Sequence, residues 1–220
     1  MRLPPDALKI FRQFEKHFVA ALQRGVTRED DSQGYALMED PASRADQLKL
    51  RGWTRAHTPL VLRVLAESRD SGQRADAAQA SGYAIRSPAQ IAALVAAAFD
   101  PDDGVRNNSV RALEVLCTAG VEVTGQIPAA RFIPLLYSVT WTDRNKSTFL
   151  LARLTDSRDP AVLKLLHDEA LGPLCEMAQW KDFSHAQTSL TILGRIAGID
   201  EKRLTLLNAS MVDEIVHSAR

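Results

Sequence analysis

The sequence has few cysteines and no excess of charge of either sign. Only 2 of its 220 residues are cysteines, which excludes a disulfide scaffold and a four-thiolate zinc site. Its 27 basic residues balance its 27 acidic residues. Non-specific binding to nucleic acid or to an anionic membrane normally requires a cationic excess. The composition therefore argues against nucleic acid as a partner, and it predicts no metal site.

Long apolar runs and nucleotide-binding motifs are also missing. No stretch of about 18 uncharged apolar residues occurs, so we expect no membrane-spanning helix. Residues 1–6 contain no apolar stretch of signal-peptide length, which predicts a cytoplasmic protein. Neither GxGxxG, GxxxxGK[ST] nor HExxH is present. The sequence thus predicts no cofactor, no catalytic residue and no enzymatic activity.

Aromatic residues are scarce, at 6% of a chain that is 45% hydrophobic. The apolar residues recur at helical spacing, and two-residue alternation is hard to find. Leu8, Phe11, Phe14 and Phe18 lie on one face of a first helix over residues 5–22. The pattern predicts an all-α fold with an N-terminal capping helix, in which Cys117 and Cys175 serve as small buried hydrophobic residues.

A pattern of two helices and a short turn repeats from residue 41 onward. The second helix of each unit starts near Arg74, Arg106, Arg144 and His185, at spacings of 32, 38 and about 41 residues. Helix-pair solenoids have repeats of about 33–47 residues. We therefore expect an N-terminal helix and connecting loop over residues 1–40. A repeat domain of about four to five helix pairs follows over residues 41–220, with a last helix at about 200–217.

The best-defined unit, residues 100–113, reads DPDDGVRNNSVRAL. It closely resembles the HEAT-repeat family, and we interpret the chain as a HEAT-repeat protein of bacterial type, with the resemblance covering about residues 41–198. The resemblance implies a right-handed α–α superhelix in which Asp100 and Arg106 help to link neighbouring units. Arg74 and Arg144 resemble Arg106 as starts of second helices, and His185 replaces the arginine in the fourth unit.

The segment from Trp141 to Lys146 is the most unusual in the sequence. It brings Trp141, Asp143, Arg144 and Lys146 together at a turn. One interpretation is structural: Asp143 or Thr142 caps the second helix, and Trp141 packs over the turn. A second is a partner-binding hot spot, in which tryptophan and arginine are over-represented. Catalysis is a third, but no nucleophile–base pair can be inferred from one turn.

Other candidates lie at equivalent places in the repeats. Asn108 and Arg111, on a second helix, are candidates for a partner-binding groove, while inter-unit hydrogen bonds from Arg106 are the alternative. Trp180 lies at the turn of the fourth unit and is a further partner-binding candidate.

A cluster of Asp182, Ser184 and His185 follows Trp180. It superficially resembles a hydrolase triad, but no GxSxG motif occurs. We expect Asp182 or Ser184 to cap the helix and Asp182 to pair with His185.

The sequence thus favours a non-catalytic scaffold that binds a protein or peptide. The alternative implied by the resemblance is a HEAT-like DNA-binding enzyme of the alkylpurine DNA glycosylase type, for which Trp141, Asp143 and Arg144 supply the residue types. A bilin lyase-like protein with a chromophore site is a third possibility, supported only by the repeats.

Overall fold

Helices form nearly all of the regular structure in this computed structural model, which describes all 220 residues. The only strands are two residues long each. The predicted all-α repeat fold is thus confirmed. None of the helices combines the length and the apolar character needed to cross a membrane. The contacts divide the chain into two units, Met1–Gln126 and Ile127–Arg220.

Unit 1 begins with a helix that packs on the second helix of the chain. Proline starts several of its helices, because its fixed φ suits the first turn and its missing N–H costs nothing there. The elements in order are α1 (Pro5–Gln23), β1 (Glu29–Asp30), β2 (Leu37–Met38), α2 (Pro41–Ala56), α3 (Thr58–Glu67), α4 (Ser71–Ser81), α5 (Pro88–Ala97), α6 (Asp103–Cys117) and α7 (Val121–Thr124).

Unit 2 begins with a 3₁₀ helix, Ala129–Tyr137, rather than an α-helix. Pro134 lies inside it and cannot donate a backbone hydrogen bond, which disfavours a regular α-helix. The remaining elements are α8 (Trp141–Leu154), α9 (Pro160–Met177), α10 (Phe183–Ile196), α11 (Glu201–Leu204), a 3₁₀ turn (Ala209–Met211) and α12 (Val212–Ser218).

The second helices of the four helix pairs, α4, α6, α8 and α10, begin with a similar arrangement of residues. Helices α4, α6, α8 and α10 begin at residues 71, 103, 141 and 183, which are 32, 38 and 42 residues apart. In three of them the residue before the helix is an aspartate whose side chain caps it: Asp70, Asp102 and Asp182. Four residues after the cap stand Arg74, Arg106, Arg144 and Ala186. The fourth-unit equivalent of the arginines is therefore Ala186, and the assignment of that place to His185 is wrong.

One buried position is occupied by a small side chain in all four of these helices. The seventh residue of α4, α6, α8 and α10 is Ala77, Ser109, Ser147 and Ser189, and all four are fully buried. Small side chains let neighbouring helices pack closely, which explains how a core with few aromatic residues can fill its space. Both cysteines are buried, as predicted, and neither forms a disulfide.

Two parts of the chain depart from the sequence prediction. The connecting loop contains the antiparallel ribbon in which Glu29 pairs with Met38. The predicted last helix is interrupted after Leu204, and Asn208 caps a new 3₁₀ turn by accepting a hydrogen bond from the Ser210 amide. The division at residue 40 stays a prediction, and residues on both sides of it lie in unit 1.

Candidate partner-binding site

Arg74 and Asp100 join two consecutive repeats of unit 1. The Arg74 guanidinium donates two hydrogen bonds to the Asp100 carboxylate, both of 2.7 Å, and a third of 2.9 Å to the Ser68 carbonyl. Burial raises the pKa of Asp100, but the bonds from Arg74 and the Asp102 amide outweigh it, and the net shift is downward. Arg106 donates to the carbonyls of Asp100 and Pro101, so it holds its own turn.

Asn108 and Arg111, predicted to line a binding groove, make contacts inside unit 1. Asn108 Nδ2 donates to the Ala75 carbonyl at 3.0 Å, which links α6 to α4. Arg111 pairs with Glu29 of the ribbon. Both side chains therefore have structural partners within unit 1, while the other partner-binding candidates belong to unit 2.

Trp141 and Trp180 meet in unit 2. Their ring centroids lie 6.5 Å apart with an interplanar angle of 29°, and His185 contacts Trp141 edge-on at 4.9 Å. Trp141 is the first residue of α8, Trp180 precedes α10, and His185 lies in the first turn of α10. We call Trp141, Trp180, His185, Arg144 and Glu176 the tryptophan cluster. Trp141 remains 49% exposed in this arrangement.

Arg144 holds the tryptophan cluster together. Its Nη2 lies 3.0 Å from Glu176 Oε1, and its Cζ lies 5.3 Å from the centroid of the Trp180 ring. A cation over an indole face is attracted by the ring quadrupole. Arg74 and Arg106 instead use this helix position to bond the carbonyl six residues earlier. The arginine of the third repeat is thus directed to the aromatic pair.

The first turn of α8 differs from the sequence prediction. Asp143 does not cap the helix: it is buried and accepts a 2.8 Å hydrogen bond from Ser138 Oγ. Thr140 occupies the cap position without a side-chain hydrogen bond. Lys146 Nζ lies 5.8 Å from the centroid of the Phe149 ring. Of the four candidates in this segment, Trp141 and Arg144 belong to the tryptophan cluster.

Asp182 caps α10, as predicted, by accepting from the Ser184 amide and hydroxyl. These bonds lower the pKa of Asp182 below its ordinary value. The predicted pair with His185 is present but long, at 3.8 Å. Asp182 and His185 therefore have roles in capping and packing.

Sequence reasoning missed Glu176 and Asn145. Glu176 lies on α9 next to Arg144, and the buried Asn145 places Nδ2 3.2 Å from His185 Nδ1, which orients the ring. Asn145 directly follows Arg144, and this position next to a candidate site residue could have identified it from the sequence. The position of Glu176 depends on how α9 packs against α8 and carries no local signal.

The fold resembles solved helical-repeat structures. An engineered protein superposes with a TM-score of 0.56 over 98% of this chain and 95% of its own, at 16% identity. A computationally designed armadillo repeat protein for modular peptide recognition gives 0.55 over 96% and 97%, at 14% identity. A designed armadillo repeat protein in complex with the peptide (KR)4 gives 0.57 over 96% of both chains, at 14% identity.

These similarities show the fold class, a helical-repeat solenoid. Neither a family model nor a curated protein sequence matches the chain. The assignment to HEAT repeats of bacterial type therefore stays a prediction.

Proposed function

We propose that this protein is a non-catalytic scaffold that binds a protein or peptide segment through the tryptophan cluster. The observation that carries the proposal is the half-exposed Trp141, which is held by Trp180 and His185 on two helix starts. An aromatic side chain that is already ordered loses little conformational entropy on binding, and tryptophan is enriched in binding hot spots.

The preferred segment carries Lys or Arg side chains. Indole faces attract cations, and two exposed carboxylates, one of them paired with Arg144, flank the aromatic pair. The side chain of Glu176 is 64% exposed and that of Asp182 is 66% exposed. The peptide (KR)4 in the complex of the designed armadillo repeat protein has this basic character.

Intrinsic fluorescence tests this proposal because the chain has only three tryptophans. Trp53 lies in unit 1, where its Nε1 donates to Asp6. In a Trp53→Phe chain the signal comes from Trp141 and Trp180 alone. We expect an octapeptide of alternating Lys and Arg to change that signal, and Trp141→Ala to weaken binding at least about tenfold.

Two controls accompany the titration. An octapeptide of alternating Asp and Glu should bind weakly, and Trp53→Phe alone should leave the affinity for the basic peptide unchanged. Affinity capture then compares the native chain with Trp141→Ala plus Arg144→Ala. Equal peptide affinity in the Trp141→Ala chain, or an unchanged set of captured partners, would contradict the proposal.

The DNA glycosylase alternative assigns a functional carboxylate to Asp143, which is buried and bonded to Ser138. The geometry therefore gives this alternative no support. Duplex-DNA binding that falls steeply with salt, and that Trp141→Ala abolishes, would favour it over the scaffold.

A further inference from the structure

A cleft in unit 1 contains three arginines and no acidic residue. It has a volume of about 340 Å³, which lies at the lower end of the range of about 300–1,000 Å³ found for small-molecule sites. Arg51 and Arg55 come from α2, and Arg86 comes from the segment after α4. The rest of the lining is uncharged: Gln33, Gly34, Tyr35, Gly82, Tyr83, Ala84, Ile85 and Leu116.

None of the three arginines has a carboxylate partner. Arg24, Arg74 and Arg111 each pair with an acidic side chain. Arg51 and Arg55 are four residues apart, so they lie on one face of α2. Three like charges converging on one cleft repel each other unless an anion neutralises them. The cleft therefore has an uncompensated positive charge, although the whole chain is neutral.

Two of the arginines, Arg51 and Arg86, contact the loop that precedes β2. The Arg51 guanidinium lies over the Tyr35 ring, with its Cζ 4.1 Å from the centroid. Arg86 Nη2 lies 3.5 Å from the Gln33 carbonyl. Gly34 makes this approach possible: its φ is +76°, and a Cβ there would lie only 2.7 Å from Arg86 Nη2. The loop itself is tied to α6, because Thr118 Oγ1 donates to the Asp31 carbonyl.

We propose that this cleft binds a small phosphate monoester. A phosphoryl group matches the planar, multiply donating guanidinium, and its double charge balances more than one arginine. The cleft is larger than a phosphate, and Tyr35, Ile85 and Leu116 offer apolar surface for the organic part of the ester. The residues that line the cleft belong to unit 1, and those of the tryptophan cluster belong to unit 2.

Isothermal titration calorimetry on the full chain with three probes tests the assignment. We expect phenyl phosphate to bind at least about tenfold more tightly than inorganic phosphate, which lacks the ring, and than benzoate, which lacks the second charge. Binding should weaken as the salt concentration rises. No heat from phenyl phosphate, or equal affinity for all three probes, would overturn the proposal.

Matched arginine variants locate the binding. Arg55→Gln and Arg86→Gln alter exposed side chains, so the fold should be retained, and each should weaken phenyl phosphate binding about tenfold. Arg63→Gln removes an exposed arginine of α3 outside the cleft and should have no effect. Weakening by Arg63→Gln equal to that by Arg55→Gln would overturn the site.

A further variant separates this site from the peptide site. Trp141→Ala should leave phenyl phosphate binding unchanged even if it abolishes peptide binding. Loss of phenyl phosphate binding in a folded Trp141→Ala chain would show that the ligand does not occupy the arginine cleft.

Discussion

The hydroxyls of Ser109, Ser147 and Ser189 are buried without a hydrogen-bond partner. A buried hydroxyl that has lost its water and gained no partner lowers stability. The serines provide the small size that helix packing requires, which alanine would provide as well, and Ala77 does so in the first repeat.

We therefore expect Ser147→Ala to raise the free energy of unfolding by about 1 kcal/mol. Ser81→Ala is the matched control, because Ser81 is equally buried but its Oγ donates to the Ala77 carbonyl at 2.7 Å. That substitution should lower stability or leave it unchanged. Urea unfolding of both variants measures the difference, and a loss of stability in Ser147→Ala would contradict the prediction.

Asp76 gives the stability a pH dependence in mildly acidic solution. Burial raises its pKa from 3.8 to about 6, and the nearby carboxylates of Glu15 and Asp70 add to the shift. Between about pH 4 and 6 the folded state then binds more protons than the unfolded state. Stability should therefore fall as the pH rises through this window and level off above it.

Asp76→Asn should remove this dependence and stabilise the protein at pH 7 by roughly 1 kcal/mol, after allowance for solvent screening of a half-buried group. Urea unfolding at pH 4, 5, 6 and 7 gives the comparison with the native chain. A gain from Asp76→Asn that is the same at pH 4 and pH 7 would be inconsistent with titration of this carboxyl.

At the scale of elements, the Arg74–Asp100 pair connects one helix pair to the next. Because both side chains are largely buried and the contact is bidentate, we expect a coupling of about 1–3 kcal/mol in a double-mutant cycle of Arg74→Gln and Asp100→Asn. Thermal unfolding of the single and double variants measures it. Because the net shift lowers the pKa of Asp100 below its ordinary value of 3.8, the coupling should begin to fall below about pH 3.8 and disappear only where the folded-state carboxyl is protonated, at lower pH. Additive effects at pH 7 would argue against the linkage.

Close packing of α10 on α11 depends on Gly194. A Cβ at this residue would lie 2.5 Å from Leu204 Cδ2, so the buried Leu204 would have to move. We expect Gly194→Ala to destabilise unit 2 by about 1 kcal/mol, since overpacking exceeds the gain in helix propensity.

Gly52→Ala in unit 1 is the control. Gly52 lies inside α2 with no atom near its missing Cβ and no proline after it, so alanine there should stabilise by about 1 kcal/mol. Chemical unfolding monitored by circular dichroism compares the two variants. If both substitutions stabilise the protein, Leu204 moves aside at little cost in free energy.

Elements with a strong local pattern were predictable from the sequence. The periodic apolar residues of α1 and the aspartate caps of α4, α6 and α10 depend on neighbours in sequence. The β1–β2 ribbon was missed because strands of two residues have no period. The break after Leu204 was missed because apolar residues continue beyond it to Leu207.

At the scale of the molecule, the three tryptophans report on two units. Leu50 is fully buried in unit 1 and Leu190 in unit 2. We expect Leu50→Ala, at a cost of about 2–5 kcal/mol, to lower the unfolding midpoint seen by Trp53 more than that seen by Trp141 and Trp180. Leu190→Ala should do the reverse. Chains that retain only one set of tryptophans make the measurement, and equal shifts would indicate a single cooperative unit.

The candidate sites show where prediction from sequence ends. Trp141 and Trp180 stood out individually because they are rare residues beside helix caps, yet their contact depends on packing between repeats. The arginine cleft left no signal, because arginine is a common residue and α2, which carries Arg51 and Arg55, lies far in sequence from Arg86. The equal numbers of basic and acidic residues in the whole chain also gave no indication of the local excess of positive charge in this cleft.

The fixed step from the cap to the arginine has a consequence for how such a chain can evolve. The length between successive second helices varies from 32 to 42 residues, while the arginine of the first three repeats stays four residues after the cap. In the first two of these repeats the arginine also bonds a carbonyl of its own turn. A duplicated stretch of gene would thus encode both the turn and the arginine that stabilises it. The added residues of the longer repeats lie before this turn, in α7 and in the longer α9, and leave the turn intact.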